Sequence, residues 1–230
     1  MLRRLVLMVA TIVSYVSIAV TPVFSEDKDK EDIEPFSVGV FLGPSIPSGA
    51  IDQVYNQFNK DGVSYAYSSA ASLGYHFGAK LRFGLVDMLS FSGGLQFTQF
   101  PGQSQTFTGS NGNTIELQTV TTYVPIYAGI TFIPIKTLVS PYFSAEAMYS
   151  YRSVTISNGN SAFEALIVGN GQEIEPTTSR IGAALAAGIE FNLGGLKPFI
   201  ELKYNMTNLV GKADGEETMG FLNVSLGLVF

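Results

Sequence analysis

The sequence predicts an all-β protein, a single eight-stranded up-and-down antiparallel transmembrane β-barrel. Three observations carry the prediction. Eight segments of roughly ten residues alternate apolar residues with small or polar ones, the period of a strand whose two faces meet different surroundings. Charged residues make up 14% of the chain, against about 25% in soluble domains. The connections alternate long and short, and no helical periodicity follows the first 25 residues.

The amino terminus is read first. Arg3 and Arg4 precede an uncharged run from Leu5 to Phe24, and Ser25 offers a small residue just before an abrupt acidic stretch. Basic start, apolar centre and small end make residues 1–25 a secretory signal peptide cleaved after Ser25. Its removal leaves 11 basic and 19 acidic residues and moves the net charge from −6 to −8. An acidic exported chain has no basic patch to displace phosphate counterions, so nucleic acid is excluded as a partner. Residues 26–35 are an acidic leader, with six acids and two lysines in residues 26–34, a composition that stays solvated. The chain has no Cys and one His. Disulfides, thiolate chemistry and two-His or His–Cys metal sites are therefore ruled out, and no cofactor is expected.

The barrel occupies residues 36–230. Strand one, 36–43, sets Phe36, Val38, Val40 and Leu42 against Ser37, Gly39 and Phe41. Strand two, 72–83, sets Leu73, Tyr75, Phe77, Ala79, Leu81 and Phe83 against His76, Lys80 and Arg82. Strand three covers 89–100. Strand four, 115–133, contains Pro125, which cannot donate to the ladder, and a local bulge is expected there. Strand five, 138–152, follows a tight turn at Pro134 to Lys136 and sets Phe143, Ala145, Ala147, Tyr149 and Tyr151 against Glu146 and Arg152. Strand six, 179–193, places Arg180 and Glu190 opposite Ile181, Leu185 and Ile189. Gly194-Gly195 marks the last tight turn, and strand seven, 197–208, carries Glu201 and Lys203 on its polar face. Long polar loops are expected at 44–71, 101–113 and 153–178, with a shorter one at 209–218.

The last strand, 219–230, carries Leu222, Val224, Leu226, Leu228 and Phe230 on one face and ends on an aromatic carboxy-terminal residue. It resembles the terminal strand of bacterial outer-membrane β-barrels, in which the final Phe and the alternate apolar residues before it form the assembly signal. Residue size decides which face is outside. The polar face is mostly Gly, Ala and Ser with a few long charged residues, which suits the confined lumen of eight strands. The face rich in Leu, Ile, Val, Phe and Tyr then meets lipid. Its aromatics fall into two girdles, with Tyr75, Phe97, Tyr149, Tyr151 and Tyr204 at the long-loop end and Phe36, Phe83, Phe132, Phe143, Phe191 and Phe230 at the short-turn end.

Over almost the whole exported chain the sequence is thus similar to the small eight-stranded outer-membrane proteins typified by the OmpA transmembrane domain, OmpX and OmpW. The resemblance implies an outer-membrane location in a diderm bacterium, short periplasmic turns with both termini periplasmic, and long extracellular loops. It also implies outer-membrane lipid, periplasmic chaperones and the barrel-assembly machinery as partners. Nothing in the pattern requires an oligomer, and a monomer is expected.

Nine residues are candidate luminal groups: His76, Lys80, Arg82, Glu146, Arg152, Arg180, Glu190, Glu201 and Lys203. Unpaired charges in so narrow a space are costly, so a salt-bridge plug is expected, with an ion path as the alternative. A lone luminal His beside two cations is a poor general base, and no enzyme is expected. Three functions stay open in decreasing order: display of surface loops for adhesion and envelope integrity, with a host or cell-surface ligand met through the loops; an OmpW-like narrow channel for small or hydrophobic solutes; and a lipid-modifying enzyme.

Overall fold

The computed structural model describes residues 36–48, 54–60, 63–68, 73–101, 104–108, 114–158, 177–212 and 218–230. The expected signal peptide and acidic leader lie outside the described residues, as do parts of the longer connections. The strands are β1 (Ser37–Pro47), β2 (Val54–Lys60), β3 (Val63–Ser68), β4 (Gly74–Val86), β5 (Leu89–Phe100), β6 (Ser104–Thr108), β7 (Thr114–Phe132), β8 (Val139–Asn158), β9 (Thr177–Phe191), β10 (Lys197–Val210) and β11 (Gly220–Val229).

Eight of them close into a ring in the order β1-β4-β5-β7-β8-β9-β10-β11. Every pairing is antiparallel and joins barrel strands that follow one another around the ring. The seam between β1 and β11 runs from Gly39↔Val229 to Pro47↔Phe221. Beyond it, Val38 and Phe230 exchange both backbone hydrogen bonds at 2.9 Å. Closure leaves no open edge, which a sheet in hydrocarbon requires because lipid cannot satisfy an exposed N–H or C=O.

Burial is inverted relative to a soluble protein. Leu42 and Leu226, at 63% and 59% exposed, lie on the outside, while Lys203 and Glu201, at 2% and 3%, lie within. The outward face of β4, β7, β8 and β9 continues with Phe77, Ile126, Ile130, Phe143, Ile181 and Leu185, all exposed. An apolar surface running round the whole ring cannot face water in a monomer, where patches beyond a few hundred Å² are rare. The outside is a lipid surface. The girdle residues follow the same face: Tyr75, Tyr149, Tyr151 and Tyr204 are exposed toward one end, and Phe83, Phe132, Phe143 and Phe230 toward the other. Phe36 packs on Phe83 at 4.9 Å between ring centroids.

The two ends of the barrel differ. The turn end holds both Ser37 and Val229 together with the connections at 87–88, 133–138 and 192–196. The last of these turns on Gly194 and Gly195, at φ 69° and 98°, a region L side chains avoid. The other end, the loop end, receives the longer connections.

Several expectations need correction. The bulge expected at Pro125 is absent, since β7 and β8 keep one register from Leu117↔Asn158 to Phe132↔Phe143 through Pro125↔Ser150. The missing N–H falls on the β5 side, where pairing stops at Leu95↔Ile126 and resumes unshifted at Thr98↔Tyr123. Strand one does not stop at residue 43. It continues through Pro44 to Pro47, and Pro44 keeps its place opposite Tyr75 of β4 while pairing toward β11 skips Gly43 and Pro44. Residues read as polar loop contain the two-stranded β2–β3 sheet and the short β6, which pairs with the loop-end part of β7. An unexpected bulge lies in β10, where the register against β9 shifts between Met206↔Ala183 and Val210↔Ile181. Both Thr207 and Asn208 consequently turn inward.

Candidate functional site: the barrel lumen

Inward residues of the eight strands meet in layers along the barrel axis. Nearest the turn end, the Arg82 guanidinium lies 2.7 Å from the Glu190 carboxylate, and Thr131 and Ser144 share a 2.8 Å hydrogen bond. In the next layer Lys80 Nζ donates to Glu201 Oε2 at 3.1 Å, and the Tyr142 hydroxyl donates to the same oxygen at 2.8 Å. Lys203 Nζ lies 2.8 Å from Glu146 and 3.9 Å from the second Glu201 oxygen. These six ionic groups alternate in sign and number three of each. In a space too narrow for bulk water, such alternation offsets the desolvation that each charge suffers.

Aromatic rings fill the spaces between the charges. Lys80 Nζ lies 3.6 Å from the centroid of Phe199, and Lys203 Nζ 3.9 Å from that of Tyr127, both within cation–π range. Four buried rings lie directly opposite a glycine on the neighbouring strand: Phe41 opposite Gly78, Tyr127 opposite Gly94, Tyr142 opposite Gly188 and Phe199 opposite Gly227. A Cβ added at any of these glycines would overlap the ring it faces. The rings therefore lie across the wall over the neighbouring glycines and occupy part of the little lumen space that eight strands leave.

Above this plug, toward the loop end, His76 bridges two serines. Its Nδ1 lies 3.0 Å from Ser45 Oγ and its Nε2 2.8 Å from Ser225 Oγ. Ser45 donates to Asn223 Oδ1 at 2.8 Å, so the Ser45 oxygen is left to accept and Nδ1 carries the proton. The lone histidine is thus a hydrogen-bonded linker between β1, β4 and β11. Still higher, Phe100, Tyr123 and Phe221 pack with ring centroids 5.4 to 6.1 Å apart, and Met219 is buried with them.

The sequence-predicted residues therefore fall into two groups. Lys80, Arg82, Glu146, Glu190, Glu201 and Lys203 meet in one network, with His76 adjacent. Arg152 and Arg180 stand apart at the loop end, lining a pocket with Tyr123, Ser150, Thr207, Asn208 and Met219. Sequence reasoning passed over Ser45, Tyr142 and Phe199. Ser45 falls in a segment read as loop, and the two aromatics show their role once the cross-strand glycines are in register.

Taken together, the closed antiparallel ring, the lipid-facing exterior and the charged, packed interior define a small transmembrane β-barrel of the outer-membrane type. No protein-family model matches the chain, and no curated protein matches it either. Among solved structures it is similar to small eight-stranded outer-membrane barrels. One is Ail, the attachment invasion locus protein of Yersinia pestis, in complex with the heparin analogue sucrose octasulfate, at 17% identity and TM-score 0.44 over 85% of this chain and 99% of that one. Neisserial surface protein A gives 13% and 0.44 over 84% and 95%. The outer membrane protein OprG of Pseudomonas aeruginosa gives 11% and 0.46 over 88% and 99%.

Proposed function

We propose that this chain is a monomeric outer-membrane anchor that displays its loops at the cell surface for adhesion or envelope contacts, with a lumen closed to passive flow. Residues 1–25 direct export, residues 26–35 and both termini of the barrel are periplasmic, and the loop end is extracellular. The face of Leu222, Val224, Leu226, Leu228 and Phe230 serves as the assembly signal. The observation that carries the reading is the neutral, alternating network of Lys80, Arg82, Lys203, Glu146, Glu190 and Glu201, packed against the rings of Tyr127, Tyr142 and Phe199. A conduit for solutes would need that network to open, and no catalytic role is assigned to His76, whose two ring nitrogens both face serine hydroxyls.

Planar-bilayer conductance of the refolded protein tests the closed lumen. Wild type is expected to give no stable channel, and Glu146→Ala or Arg82→Ala to introduce leak. A reproducible wild-type channel would replace this reading with the narrow-channel one. Surface display is tested by protease or epitope access at residues 159–176 in intact cells, and protection of that segment would overturn the orientation.

A further inference from the structure

The apolar exterior does not stop at the turn-end girdle. Beyond Phe83, Phe132 and Phe143, each of the three short turns presents further apolar side chains to the outside. They are Leu85 and Met88 where β4 meets β5, Ile135 and Leu138 between β7 and β8, and Leu193 and Leu196 between β9 and β10. Leu138 and Leu193, at 65% and 60%, are as exposed as Leu42 and Leu226 on the wall. A turn in water favours Gly, Pro, Asn, Asp and Ser, and exposed apolar patches of this kind mark a contact surface.

Depth gives the contact its chemistry. Tyr75 and Leu85 lie ten residues apart on the outer face of β4, and Tyr149 and Val139 ten residues apart on that of β8. At ~3.4 Å per residue and a tilt of ~40°, ten residues rise about 26 Å along the membrane normal. The apolar band of such barrels is about 25 Å tall, so a band that starts at the loop-end tyrosines runs out at the turns. The surplus length of β7 and β8, strands of 19 and 20 residues, lies at the loop end. No stretch of strand is left over to hold the turns clear of lipid.

A turn enters the lipid boundary only if its backbone does without water. The Ile133 N–H donates to the Met88 carbonyl at 2.8 Å and the Asn192 N–H to the Leu138 carbonyl at 2.9 Å, each bond joining one turn to the next, while the Leu193 N–H donates to the Leu196 carbonyl at 3.0 Å. The Asn192 carboxamide donates to the Thr137 carbonyl and, at 3.0 Å, to Ser140 Oγ. Lys136 Nζ meets Asp87 Oδ1 at 3.1 Å across two turns, a pair of opposite charges suited to the head-group layer.

We propose that the turn end is itself a lipid-binding surface, whose leucines, Met88 and Ile135 insert below the head groups of one phospholipid leaflet and leave Asp87 and Lys136 at head-group level. The occupant follows from continuity with the lipid-facing wall, and the inference rests on the outer-membrane reading of that wall. The test uses the refolded full-length barrel in phosphatidylcholine vesicles. The chain has no Trp and no Cys, so single probes report alone. Leu138→Trp and Leu196→Trp are the turn probes, and Leu185→Trp is the mid-wall control. Each turn probe is expected to lose most of its emission to lipids brominated near the head group and less to lipids brominated near the chain end, with the opposite order for Leu185→Trp. Because Trp itself favours the interface, Leu138→Cys and Leu196→Cys are also labelled with a water-soluble maleimide. They should react far more slowly than the same variants unfolded in urea. Heat-modifiable gel mobility confirms folding, and Leu193→Trp or Leu193→Cys replaces a variant that does not fold. Cysteines that label as fast as in the unfolded chain, or turn tryptophans quenched by aqueous acrylamide like a free tryptophan amide and not by brominated lipid, would overturn the proposal. Quenching of Leu185→Trp by lipid in that case confines the failure to the turns, whereas its absence removes the lipid-facing wall as well.

Discussion

Glu201→Gln is the sharpest probe of whether the lumen is a dry plug or a hydrated pore. Glu201 sits at the centre of the network, accepting from Lys80 at 3.1 Å and from Tyr142 at 2.8 Å, with Lys203 at 3.9 Å. Its side chain is 3% exposed and that of Lys80 8%. At 3.1 Å, attraction of the Lys80 pair is roughly 5 kcal/mol at an effective dielectric of about 20 and roughly 1 kcal/mol in bulk water. The Gln side chain keeps the shape and loses the charge, which leaves Lys80 buried against the Tyr142 hydroxyl and the Phe199 ring. Removing one partner of a buried ion pair costs about 3–5 kcal/mol. The double variant Lys80→Met/Glu201→Gln removes both charges and should recover most of that loss, because the uncompensated cation is gone. The assay is reversible urea unfolding in lipid vesicles, followed by far-ultraviolet circular dichroism. A loss below about 1 kcal/mol for the single variant, the value of exposed pairs, would refute the dry lumen and the closed-barrel reading with it.

Three further outcomes are expected. Gly188→Ala places a Cβ against the Tyr142 ring and should cost about 1–3 kcal/mol by overpacking, while Tyr142→Leu in the same chain relieves most of it; an unaffected Gly188→Ala would contradict the flat-ring packing. Ala147, exposed between Ala128 and Ala183 on the outer wall, should lose about 2–4 kcal/mol on substitution by Arg, measured by the same unfolding assay, and no loss would place that face away from lipid. Phe230→Ser should lower the amount of folded barrel recovered from cell envelopes while leaving refolding in vitro nearly unchanged, and equal envelope levels would remove the carboxy-terminal residue from the assembly signal.

The barrel was legible because two environments impose two chemistries with a period of two. Strand three coincides with Leu89–Phe100, six of the others lie within about four residues of their expected bounds, and β8 runs on to Asn158, well past the expected end at Arg152. The errors come where pattern and pairing part company. Pro44 and Pro125 look like breaks, yet an antiparallel residue directs its N–H to one neighbour, so a proline interrupts one ladder and spares the other. The β2–β3 sheet escaped although Val63, Tyr65 and Tyr67 alternate with Ser64, Ala66 and Ser68, because strands of seven and six residues set among Gly, Ser and Asn read as one polar loop. The Thr207–Asn208 bulge left no mark beyond two adjacent polar residues. The nine luminal candidates were legible from alternation as a set, of which His76, Lys80, Arg82, Glu146, Glu190, Glu201 and Lys203 are buried. Their division into a six-residue network and a separate arginine pair was not, because position along the axis depends on the register of all eight strands.

The same limit explains the aromatic half of the plug. Small residues on the inner face were read as a sign of a crowded lumen, and the structure shows what crowds it. Each of Gly78, Gly94, Gly188 and Gly227 lies beneath a ring from the adjacent strand. Glycine weakens a strand by leaving its backbone uncovered, and an aromatic laid across it restores the cover. Here the arrangement has a second consequence. The rings that cover the glycines also sit against the ammonium groups of Lys80 and Lys203, so the packing of the wall and the electrostatics of the axis use the same side chains. Opening the lumen would therefore require more than separating ion pairs: Tyr127, Tyr142 and Phe199 would have to lift off the wall, exposing the glycine backbones beneath them. Under the proposed closed-lumen reading, that coupling is what holds the barrel shut, because a ring that lifts uncovers a glycine backbone and an ammonium group in the same movement.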